Sequence, residues 1–181
     1  MVNNEKVLHF SEELLLIGDP HLRLFVQKML ESTGDWFFID PASTSGKHHP
    51  QYALGKGGLV RHTKAVVKWA VELERTKMFD IDPVTFDFLI AAAIMHDIRK
   101  HTADGKYVEN HAEAGAQAVM DLNKECNGLI GDWEATQIAN AIKRHMGIWG
   151  KDTPKTPLDK LLHLADYCAS RKELEFDTKE L

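Results

Sequence analysis

The sequence predicts an all-α protein, a bundle of about six helices with one long loop in its N-terminal half. Three observations predict it. Apolar residues recur at helical spacing in segment after segment, and no stretch alternates apolar and polar side chains as a half-buried strand does. Asp-Pro and Thr-Pro pairs stand ahead of several of these segments, where a capping side chain and a first-turn proline start a helix. Glycines, alone or in Asn-Gly and Asp-Gly pairs, punctuate the stretches between them. The 181 residues suffice for one domain with a real core. Residues 1–34 read as an N-terminal helical extension, 35–171 as the core and 172–181 as a charged tail.

Residues 1–18 hold a short apolar patch, Leu14 to Ile17, after a potential N-cap at Ser11, and Gly18 ends it. Asp19-Pro20 then starts a helix through Leu22, Leu24, Phe25, Val26, Met29 and Leu30, which Gly34 stops. Asp35 to Gly58 is the longest irregular stretch, rich in Gly, Pro, Ser and Thr, and it carries His48 and His49. A loop of that length inside a compact unit points to function or disorder, and Trp36, Phe37, Phe38 and Ile39 should anchor it.

Leu59 to about Met78 reads as a helix whose apolar face is Leu59, Val66, Ala70 and Leu73, with His62 on the same face. Asp82-Pro83 caps the next helix, which runs through F-L-I-A-A-A-I-M to His96. A helix so uniformly apolar belongs inside, and Leu89, Ala92 and Ala93 carry its stripe on to the His96 imidazole. Ile98 to Asn110 is a connector with a turn at Asp104-Gly105. The next helix carries His111, Ala114, Ala118 and Leu122, and Asn127-Gly128 breaks the chain after it. Asp132 reads as the N-cap of a helix through Ile138, Ala141, Ile142 and His145, with Gly147 as its C′ residue. Thr156-Pro157 with Asp159 begins the last helix, which carries Leu161, Leu162, Ala165, Asp166 and Ala169.

A net charge of −5 argues against a general nucleic-acid coat, because backbone binding needs a basic surface. It leaves room for a local basic pocket around a phosphate. Cys126 and Cys168 form no C-x-x-C pair, so a zinc knuckle or redox pair is not expected, and both read as thiols of a reducing compartment. No signal-peptide pattern opens the chain, and no apolar run reaches the roughly 18–20 residues of a membrane span, so the expectation is a cytoplasmic protein without a membrane partner. Nothing in the sequence fixes the oligomeric state.

Four helices place a metal-competent side chain where an apolar residue belongs: His62, His96 with Asp97, His145 and Asp166. His111 opens a fifth. A single histidine on an apolar face is ordinarily a hydrogen-bonded core residue. Five such helices in one small protein weaken that explanation, since each buried polar group would need its own partner. A buried imidazole beside a buried carboxylate costs several kcal/mol unless paired, and a cation satisfies both, taking the histidine neutral and the aspartate ionised. The donors are nitrogen and oxygen only, which suits Mn, Fe, Co, Ni, Zn or Mg and excludes a thiolate site. Six ligands exceed the three of a usual catalytic zinc and suit two ions sharing a carboxylate, roughly 3.5–4 Å apart. The number of ions, one or two, and their identity are not readable.

The order His62, His96-Asp97, Asp166 resembles the signature of the HD superfamily of metal-dependent phosphohydrolases, and His111 and His145 resemble the additional ligands of its two-metal branch. The stretch from Pro41 to Thr63, P-A-S-T-S-G-K-H-H-P-Q-Y-A-L-G-K-G-G-L-V-R-H-T, is similar to a segment of bacterial 3′–5′ exoribonucleases in which an OB domain precedes the HD domain. Ile142 to Gly147 and Leu162 to Asp166 resemble later segments of the same domain. Arg99 stands where glycine is commoner in that family's H-D-x-G-K pattern, and with 34 residues before the core in this sequence an OB domain there is not expected.

The resemblance implies an HD-type helical bundle that hydrolyses a phosphoester or phosphodiester of a nucleotide-type substrate with metal-activated water. It implies His62, His96, Asp97, His111, His145 and Asp166 as metal ligands, with Asp97 as the bridge, and Asp97 and Lys100 as catalytic residues. Lys100 would also reach a phosphate oxygen, and His48, His49, Arg61 and Trp149 are the further substrate-binding candidates. His163 reads as packing near Asp166, Trp69 as core, and His9, His21 and His101 as exposed. A small phosphorylated partner fits the acidic chain better than single-stranded nucleic acid. The alternatives are a 3′–5′ exonuclease on single-stranded RNA or DNA, a di-iron oxygenase of the same superfamily, and a non-catalytic nucleotide sensor.

Overall fold

The computed structural model describes residues 4–43, 49–102, 104 and 106–174. It is all-helical, and among the described residues the β-structure amounts to an isolated bridge between His101 and Tyr107. Six long helices carry it, as expected: α3 (Pro20–Ser32), α5 (Gly58–Arg75), α6 (Pro83–Met95), α7 (His111–Glu125), α8 (Asp132–Arg144) and α9 (Pro157–Ala169). Three short ones, α1 (Asn4–Leu8), α2 (Ser11–Leu14) and α4 (Trp36–Ile39), complete the α-helices among the described residues, beside three short 3-10 turns. Among the described residues no helix is long and apolar enough to cross a membrane.

The caps follow the residues. The Asp19 carboxylate accepts the His21 and Leu22 N–H groups ahead of Pro20, and Asp82 accepts that of Thr85 ahead of Pro83. At α9 the Thr156 hydroxyl accepts the Asp159 N–H while Asp159 accepts the Thr156 N–H, a reciprocal capping box. Asn127 and Gly128 both take left-handed backbone and close α7.

Several boundaries differ from the sequence reading. Ser11 is the first helical residue of α2 and not its cap; Phe10 holds that position, fully buried. Gly131, not Asp132, caps α8, because the Glu134 carboxylate reaches back to the Gly131 N–H at 2.6 Å. That helix ends on His145, so Gly147, at φ +57, lies one residue beyond C′. Helix α5 stops at Arg75, and Lys77 turns the chain with φ 55. The long loop is not wholly irregular: Phe37 is buried, Trp36 and Phe38 pack beside it, and this apolar run coils into α4.

Helix α6 is the centre of the bundle. Every residue from Phe88 to Met95 is buried, and α3, α5, α8 and α9 pack around it. Helices α5 and α9 pair on one flank, α7 and α8 on the other. The loop before α5 lies directly against that helix. A Cβ at Gly58 would stand 2.3 Å from the Ala53 carbonyl oxygen, a contact no other residue could accept. Tyr52 donates its hydroxyl to the Ala169 carbonyl at 2.9 Å, tying the same loop to the end of α9. These contacts bring the loop, the C-terminal ends of α6 and α8, and the face of α9 to one end of the molecule.

Candidate metal centre

Each metal-competent side chain reaches this end from a different element. His62 lies one turn inside α5, on the face that meets α9, and is buried. Its Nε2 stands 3.1 Å from Asp166 Oδ1 on α9. His96 is the C-cap of α6 and His145 the C-cap of α8. His96 Nδ1 lies 2.8 Å from the Ala93 carbonyl and His145 Nδ1 lies 2.7 Å from that of Ile142. A carbonyl only accepts, so each Nδ1 carries the proton and each Nε2 turns a lone pair inward. His111, the first residue of α7, comes in from the opposite flank.

Asp97 sits among them with its two oxygens facing different groups. Oδ1 is 3.2 Å from His111 Nε2 and 3.9 Å from His145 Nε2. Oδ2 is 3.5 Å from His96 Nε2, 3.9 Å from His62 Nε2 and 2.7 Å from Lys100 Nζ. His96 Nε2 is also 3.8 Å from Asp166 Oδ1. Two sets of donor atoms, His62–His96–Asp166 and His96–Asp97–His145, each cluster within 4.8 Å, close enough to share an ion. His96 belongs to both.

The electrostatics fit a cation. Among the described residues, His96 Nε2, Asp97 Oδ1 and His111 Nε2 are buried without a hydrogen-bond partner, although His111 and Asp97 lie close; their geometry is not that of a hydrogen bond. Native interiors rarely leave three such atoms at one point, and a divalent ion bound by nitrogen and oxygen would satisfy all three. Burial would raise the Asp97 carboxyl, but Lys100, His96 and His111 outweigh it and hold it well below the usual carboxylate range. Asp166 is depressed in the same way, against its burial, by His62, His96 and His145. Burial and the neighbouring His96 lower His145 to about 4, so it is neutral and ready to donate its lone pair. Burial likewise opposes charge on Lys100, yet Asp97 raises its pKa and keeps the ammonium.

His62, Asp97, His111, His145 and Asp166 line the floor of a cavity of about 570 Å³, within the range of small-molecule sites, with His96 buried beneath it. Lys100, His49 and Trp149, three of the substrate-binding candidates, also line it. His49 stacks edge-on to His62 at 5.9 Å, and burial with the nearby His62 and Lys100 lowers it to about 4. His48 lies outside the described residues. Arg61 is not part of the cavity. Its Nε and Nη2 donate to the carbonyls of Tyr52 and Leu54 at 2.6 and 3.0 Å, so it holds the loop onto α5. Successive helical residues do not share a face, and with His62 turned inward Arg61 turns away. Arg99 does not line the cavity either.

The structure adds residues that the sequence reading passed over. His101 is not exposed: it pairs with Asp40 at 2.8 Å, its side chain 10% accessible, and joins the connector to the loop at the rim. Tyr107, Met146, Tyr167 and Arg171 are among the residues of the cavity walls. His163 does more than pack, since its Nδ1 donates to the His145 carbonyl at 2.7 Å and supports the α8 terminus. Tyr167 lies four residues after His163 on the same face of α9, a spacing that was a usable signal once His163 is placed at the site; the Asp40–His101 pair had none in local sequence.

The family model of the HD domain matches residues 59–171. The chain belongs to the HD domain family. Comparisons with curated proteins and with solved structures return no match. HD domains bind divalent metals and are in general metal-dependent phosphohydrolases. In this HD domain the matched span contains His62, His96, Asp97, His111, His145 and Asp166, while the loop carrying His49 and the 3-10 turn at Gln51–Ala53 lies outside it.

Proposed function

We propose that this HD domain hydrolyses a phosphoester or phosphodiester of a nucleotide-type substrate at a centre of two divalent cations. The observation that carries the reading is the Asp97 carboxylate, whose oxygens face two separate pairs of imidazoles. His62, His96 and Asp166 would hold one cation, His111 and His145 the other, and Asp97 would bridge them. Cations so held supply Lewis acidity to phosphoryl oxygens and lower the pKa of water into the neutral range.

The chain's own residues supply the rest. Lys100 fixes one Asp97 oxygen at 2.7 Å and, lining the cavity, keeps further N–H donors for a non-bridging phosphate oxygen. His49, lowered to about 4, faces the cavity neutral near pH 7 and adds no charge to the rim. A cavity of about 570 Å³ has room for a phosphate with a compact attached group, which supports a small nucleotide over a duplex. A 3′–5′ exonuclease on single-stranded RNA or DNA would use the same centre, and substrate length separates the two. The ammonium of Lys100 beside the bridge favours phosphate over the O₂ chemistry of a di-iron oxygenase.

The test is a panel of nucleotides, cyclic dinucleotides, a generic phosphodiester and single-stranded RNA, incubated with Mn²⁺-loaded protein and with Asp97→Asn, metal content measured alongside. Hydrolysis by the wild type, lost together with bound metal in the variant, is the expected result. Unaltered hydrolysis by Asp97→Asn, or O₂ consumption by the iron-loaded protein without phosphate release, would overturn the reading.

A further inference from the structure

One wall of the cavity has a chemistry that the metal donors do not explain. Trp149 and Tyr167 lie nearly parallel, 15° between planes and 5.9 Å between ring centres, and they remain 59% and 39% exposed. The Arg171 guanidinium covers Tyr167 at 4.1 Å and approaches Trp149 at 5.8 Å. All three line the same cavity as Asp97 and Lys100. A lone exposed aromatic needs no explanation, but this one belongs to an ordered column with a planar cation at the mouth of a polar site.

The column is rigidly tied to the centre. Trp149 ends the 3-10 turn Gly147–Trp149 that follows His145, and Gly147 packs so closely on His163 that a Cβ there would stand 2.3 Å from its Cε1. Tyr167 follows Asp166 directly on α9. Arg171 brings an independent sign of a ligand: its Nε is buried and has no hydrogen-bond partner among the described residues. A preplaced flat surface loses little entropy on binding another ring, and an arginine beside it offers donors to the ring's polar edge or its phosphate.

Building on the phosphohydrolase reading, we propose that Trp149, backed by Tyr167 and Arg171, is a stacking platform for the base of the substrate, with the attached phosphate directed to the metal floor. The ligand chemistry is therefore an aromatic heterocycle joined through a sugar to a phosphate. A free nucleotide and the end of a single strand both present it.

Binding of AMP and of ribose 5-phosphate to the Mn²⁺-loaded protein tests this by calorimetry, with tryptophan fluorescence as a second readout. Base stacking on an aromatic side chain predicts that AMP binds about ten-fold more tightly than ribose 5-phosphate. Trp149→Ala removes that ratio, and Trp149→Phe keeps most of it. AMP quenches the fluorescence of the wild type and not that of Trp149→Phe, which excludes a merely structural effect. Equal affinities in the wild type, or a ratio that survives in a folded Trp149→Ala, would overturn the platform while leaving the phosphohydrolase reading intact. Binding of neither ligand would defeat both. In the same titration, a trinucleotide that competes better than AMP assigns a strand end, and one that competes no better assigns a free nucleotide.

Discussion

His96 and His145 finish two different helices in the same way. Each is the C-cap, each places Nδ1 against the carbonyl three residues earlier, and their rings meet at 5.1 Å and 76°. The last carbonyls of a helix lack backbone donors, so one bond both satisfies the helix end and sets the tautomer of a metal-facing imidazole.

The two histidines nevertheless serve different cations. His96 belongs to both donor sets and His145 to one. With Nδ1 protonated, however, His96 has one lone pair and serves one cation, that of His62 and Asp166, while His145 serves the other. Elemental analysis of desalted protein is expected to find about one cation lost from His96→Asn and about one from His145→Asn, and both lost from the double variant. Full metal content in either single variant would refute its assignment.

Lys100 holds Asp97 through a buried charge pair and faces the cavity. Lys100→Met is expected to lower kcat about 10²-fold, the loss typical of removing one preplaced donor, with metal content retained. Steady-state kinetics beside elemental analysis decide it; unchanged kcat would remove Lys100 from the reaction.

Asp159 closes the N-terminus of α9. Burial would raise its carboxyl, but the Lys155 and Thr156 N–H groups, the Thr156 hydroxyl and the Arg144 guanidinium at 3.0 Å overcome burial and lower it. A depressed pKa means the ionised form is favoured by folding, so this stabilisation is present above the unfolded value of about 3.9 and fades as pH falls through the folded one. Asp159→Asn should cost about 1–2 kcal/mol near pH 7, and its deficit in urea melts should shrink below about pH 4. A deficit that does not change with pH would show that the charge is immaterial.

Gly147 carries φ +57, and a Cβ there would meet the His163 ring at 2.3 Å. Gly147→Ala is expected to destabilise by about 2 kcal/mol or more, from left-handed backbone and overlap combined. Adding His163→Ala clears the overlap, so the double variant should be more stable than the two single losses sum to. Strictly additive denaturation midpoints would contradict the clash.

Much of the site was legible because polar residues broke apolar stripes. His62 among Leu59, Val66 and Ala70, and His96 after an unbroken apolar run, could face only inward. Aspartate and threonine before proline marked three of the long helices because their capping chemistry is local. What escaped was set by tertiary contact. Arg61 was claimed by two loop carbonyls, Asp40 met His101 across 61 residues, and Trp149 found Tyr167 only because α9 returns beside the end of α8. Helix ends moved by a residue where a distant or backward-reaching side chain, such as Glu134, outcompeted the expected cap.

Helix α6 is enclosed along its whole apolar length, from Phe88 to Met95. Its amides can exchange with solvent deuterium only when the surrounding helices come away together, which makes it a reporter of the slowest opening of the molecule. His96 and Asp97 ride on the end of that most protected segment, so the rim can breathe while the floor beneath it stays assembled.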